Sequence, residues 1–186
     1  TVTGVQTCAL PIYYKLCNPS WPPKIYHYTG RESTLIDGLS DPKFVNHMLQ
    51  QQIQLRFDFV NDHNTGDEDV YFCIRNYRSY YSGISKGNNV DTVLGQKTAN
   101  RLYQAWKMNT PSIFSPSTAM ISIRQSEYDF LIASTLEEFE HQCLRLKNDA
   151  NLFCNMVANC RHRQQEHTND IIVTQWQSAF KQVLCK

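Results

Sequence analysis

Ile53-Gln54-Leu55-Arg56-Phe57-Asp58-Phe59 alternates apolar and polar side chains without a break, and that period of two decides how the fold is read. A strand buried on one face has this pattern, because successive side chains point to opposite sides of a sheet. Upstream, Asp41-Pro42 opens a helix, with an acid at the N-cap and a proline at the first helical position. Phe44, Val45, Met48 and Leu49 carry its apolar stripe to about Gln52. Ser33–Leu39 reads as a short helix broken at Gly38. Lys24-Ile25-Tyr26-His27-Tyr28-Thr29, rich in aromatic and β-branched residues and closed by Gly30, reads as a strand. The prolines of Asn18–Pro23 exclude regular structure before it.

Downstream, Asn61–Asp69 is a polar, turn-rich loop, and Val70–Ile74 is the next strand. Tyr77–Asn89 is loop-like, and Asp91 is expected to cap a helix through Met108 that buries Leu102 and Trp106. Asn109–Thr118, with its two prolines, reads as a connector. Ala119–Arg124 and Tyr128–Ala133 read as a hairpin about Gln125-Ser126-Glu127. Two overlapping capping boxes, Ser134 with Glu137 and Thr135 with Glu138, then start a long helix. Its seam of Leu136, Phe139, Cys143, Leu146, Ala150, Phe153, Val157 and Cys160 recurs at steps of three and four. Thr168–Asp170 caps a last helix bearing Ile172, Trp176, Ala179, Phe180 and Val183. The expected fold class is α+β: a small, mainly antiparallel sheet of about four or five strands covered by helices, with a C-terminal helical hairpin.

Val2-Thr-Gly-Val-Gln-Thr-Cys-Ala-Leu-Pro-Ile12 matches, without a mismatch, the translation of a common sequencing-library adaptor. Residues 1–12 are therefore set aside as adaptor-derived, and residues 13–186 are read as one domain, part of a longer protein. No run approaches the roughly 18 apolar residues of a membrane span, so no membrane partner is expected. The formal net charge of +1 gives no electrostatic footprint for non-specific nucleic-acid binding. Cys17, Cys73, Cys143, Cys154, Cys160 and Cys185 are scattered, without a C-x-x-C pair, and read as reduced thiols of a cytoplasmic protein.

Three groups of residues have chemistry to offer. Cys154, Cys160, His162 and His167 are of types that suit zinc, but the Cys spacing is not that of a zinc module, and no metal site is expected. Tyr71, Phe72, Arg75, Tyr77, Arg78, Tyr80 and Tyr81 mix aromatic and basic side chains as single-strand binders do, yet without a consensus motif or a basic balance. His27, Tyr28 and Thr29, with Asn61, Asp62 and Glu68, sit at element ends, where a sheet can gather loops into one cleft. There an imidazole and carboxylates can serve as acid and base, so the candidate catalytic residues are His27, Asn61, Asp62 and Glu68.

The run Ile25-Tyr26-His27-Tyr28-Thr29, followed by Leu55–Asp62 and then Glu68, resembles the large bacterial family known only as domain of unknown function 2971. Phe114-Ser115 and Ile123-Arg124 with Tyr128 extend the likeness, which covers about Lys24–Ala133. Ile123 departs from it where the family carries Trp, and the spacings from Thr29 to Asn61 and on to Glu68 are longer. The resemblance implies an organisation and no activity, cofactor or substrate; the cofactor stays unknown. Two alternatives stand beside it. The chain is similar to ADP-ribosyltransferases that use NAD in its early Tyr-His strand and its Glu138-Phe139-Glu140 pattern, which would require His27 and Glu138 or Glu140 to line one pocket. The other alternative is a non-enzymatic domain that meets a protein partner through its C-terminal helices.

Overall fold

In the computed structural model of the chain, residues 21–30, 35–57, 68–75 and 98–184 are described. Their strands are β1 Ile25–Tyr28, β2 Gln54–Phe57, β3 Val70–Cys73, β4 Ser112–Phe114 and β5 Leu131–Ile132. The helices are α1 Pro42–Gln50, α2 Asn100–Lys107, α3 Thr118–Ile123, α4 Leu136–Asn148, α5 Ala150–Gln165 and α6 Asn169–Leu184. All five strands run parallel in the order β2-β1-β3-β4-β5. The mainly antiparallel α+β sheet expected from the sequence is thereby corrected to an α/β layout.

Burial explains the error. Among the described residues the alternating stretch is an edge strand: β2 pairs only with β1, and Gln54 is exposed while Leu55 is buried. β3 is buried at every residue and β1 at all but Ile25, as in parallel sheets covered on both faces, where strands read as continuous apolar runs. β4 has three residues, all buried, between Pro111 and Pro116, too short to show a period. The expected hairpin is absent because Thr118–Ile123 coils into α3, where the Ser117 hydroxyl accepts from Met120 N at 3.3 Å.

Side chains alternate between the faces. Tyr26, Tyr28, Phe57 and Phe72 share the face toward α1 and α4: Phe72 lies 4.7 Å from Phe139, ring centre to ring centre, and Phe139 lies 6.5 Å from Phe44. The Tyr26 hydroxyl donates to the Cys143 carbonyl at 3.1 Å. His27, Tyr71 and Cys73 occupy the other face, where the Tyr71 hydroxyl donates to Met108 Sδ at 3.0 Å, just beyond α2. Burial pushes both tyrosine hydroxyls up from their ordinary values, so they stay neutral donors.

α5 packs against α2 through a buried clasp. The Arg163 guanidinium lies 4.4 Å from the Trp106 ring centre, its Nε is 3.1 Å from Asp129 Oδ1, and its Nη2 donates to the Ile123 carbonyl at 2.9 Å. Asp129 Oδ2 accepts from Gln125 N at 2.6 Å and Ser126 N at 3.0 Å, and Asn159 Nδ2 donates to Oδ1 at 2.9 Å.

The other differences are local. The seam from Leu136 to Cys160 is not one helix: Asp149 breaks it with extended backbone and caps α5 through Leu152 N at 2.9 Å. The packed pair is α4 with α5, and α6 buries none of its residues, so the expected hairpin with the last helix is not formed. Leu35 bridges Arg75, and a turn follows with Gly38 at φ +82°, where a Cβ would be strained, so no helix spans Leu35–Leu39. The helix expected from Asp91 begins at Asn100, since Thr98 and Ala99 are not helical and residues 91–97 lie outside the described residues.

Candidate functional site

β1 carries His27 to the face opposite α4, beside Tyr71 at 6.1 Å. There its Nδ1 lies 3.3 Å from Glu68 Oε1, with the two side chains only 4% and 1% exposed. The neighbouring Asp69 Oδ2 accepts from Lys24 N at 2.8 Å and Ile25 N at 3.0 Å, which fastens the amino end of β1 to that of β3. An imidazole and a carboxylate at this distance can exchange a proton. Of the four residues expected from the sequence, His27 and Glu68 come together; Asn61 and Asp62 lie outside the described residues. His27 does not share a pocket with Glu138 or Glu140, since it faces away from α4, which carries both. Glu138 accepts from Ser134 N at 2.6 Å in the capping box, and Glu140 holds His47 at 2.7 Å.

The carboxyl edge of the sheet offers a different site. Strand order reverses at β1, with β2 on one side and β3 on the other, and open α/β sheets bind ligands outside the carboxyl ends of their strands near such a reversal. One strand further, between β3 and β4, a small crevice of about 10 Å³ is lined by Cys73, Arg75, Thr98, Phe114, Ser115, the α3 cap Ser117 and Met120. Its floor is tied together by Ser115, whose hydroxyl accepts from Arg75 N at 2.9 Å and donates to the Ala133 carbonyl at 3.2 Å. Arg75 Nε donates to Cys73 Sγ at 2.9 Å, which holds the guanidinium stem at the crevice. Arg75 is the charged residue of the lining, and Thr98, Ser115 and Ser117 bring hydroxyls to it.

The other candidate groups do not converge. Tyr71 and Phe72 are core residues on opposite faces, Arg75 lines the crevice, and Tyr77, Arg78, Tyr80 and Tyr81 lie outside the described residues. Cys160 is buried with its thiol toward the Thr110 carbonyl, and burial pushes it up to about 12. Cys154 is exposed, His162 pairs with Glu166 at 3.6 Å, and His167 stacks on Trp106.

The sequence reading did not assemble Cys73, Arg75, Ser115 and Ser117 into a site, because that requires β4. The available signal was Ser112-Ile113-Phe114 followed by Ser115-Pro116-Ser117-Thr118, a short buried run ending in hydroxyls and a helix cap. Among the described residues, no helix is long and apolar enough to cross a membrane. No protein-family model matches the chain, and neither a curated protein nor a solved structure matches it.

Proposed function

We propose that this domain binds a small anionic ligand at the carboxyl edge of β3 and β4, with Arg75 as counter-charge and the hydroxyls of Thr98 and Ser117 as donors, while Ser115, whose proton goes to the Ala133 carbonyl, fixes the floor. The observation that carries the reading is the place of Arg75: the one charged residue of a crevice lined with hydroxyl residues, at the carboxyl edge of the sheet one strand from the reversal near which α/β folds take their ligands. In this reading the resemblance to the uncharacterised bacterial family describes the scaffold. The setting is cytoplasmic, in keeping with the free cysteines Cys73, Cys143, Cys154 and Cys160. Tyr71 and Phe72, two of the aromatic residues that a single-strand binder would use for stacking, are committed to the core.

A second reading keeps His27 and Glu68 as an acid–base pair, favoured by their 3.3 Å contact. It requires the pair to open to solvent. In the first reading the two residues join β1 to β3 and leave binding to the crevice.

Thermal unfolding with inorganic phosphate, a nucleoside monophosphate and a dicarboxylate separates the two. A ligand at 100 times its Kd adds about 2.7 kcal/mol, which raises Tm by roughly 5–10 °C in a chain of this size. At least one of the three should do so for the native chain and none for Arg75→Gln. The same rise in Arg75→Gln, or no rise with any of the three, contradicts the proposal.

A further inference from the structure

We draw no further inference here: the strongest candidate, the exposed apolar stripe of Ile172, Trp176, Phe180 and Val183 along α6, carries none, because nothing in the structure shows what covers it.

Discussion

His27 is a polar side chain in a strand whose neighbours Tyr26 and Tyr28 are fully buried, so its surroundings must include a group that satisfies the ring. Glu68 is there, at 3.3 Å. Taking both groups out of water costs several kcal/mol per ion when charged, and their mutual attraction only offsets that cost. Removing one partner is therefore worse than removing both. His27→Ala should lower the unfolding free energy by about 3–5 kcal/mol, while His27→Phe with Glu68→Leu should recover part of the loss, as urea unfolding curves would show. A fully stable His27→Ala protein would mean that the ring contributes nothing to the join between β1 and β3. The sequence names His27 and Glu68 together, along with Asn61 and Asp62, because they are polar residues at the ends of elements that a sheet can bring to one place. It does not reveal Arg75 in the same way, since nothing local marks an arginine two residues beyond a buried strand as facing a crevice rather than water.

Among the elements, those with a strong local signal are legible. Asp41 caps α1 and accepts from Lys43 N at 2.8 Å, and Thr135 caps α4 with Glu138 as its box partner. Val70–Cys73 is a strand, as its aromatic and β-branched content requires. Elements whose identity depends on packing are not legible: β4 is a strand because β3 and β5 flank it, and Ala119–Ile123 is helical although its Ile121 and Ile123 alternate like a strand. The loop between α3 and β5 owes its shape to Asp129, which no local pattern announces. Asp129→Ala would leave Arg163, 3% exposed, without its carboxylate and strand the amides of Gln125 and Ser126. It should destabilise the protein by about 3–5 kcal/mol, measurable as a lower urea midpoint with an unchanged slope. A midpoint within error of the native value would show that the clasp does not hold α5 against α2 and the loop before β5.

For the whole molecule, the distinction between parallel and antiparallel strands was lost because the most conspicuous strand lies at the edge. Edge strands keep one wet face and alternate in either kind of sheet, whereas the continuous apolar runs of β1 and β3 carried the evidence for a sheet covered on both sides. Once the order β2-β1-β3-β4-β5 is known, the place to look for a ligand moves from the buried His27–Glu68 contact to the carboxyl edge. Following the backbone amides by NMR during titration with inorganic phosphate, a nucleoside monophosphate and a dicarboxylate tests that shift of location directly. The account predicts saturable changes centred on Cys73, Arg75, Thr98, Ser115 and Ser117 with at least one of these anions, and small changes at His27. Changes centred on His27 and Glu68, or no saturable change with any of the three, would contradict it.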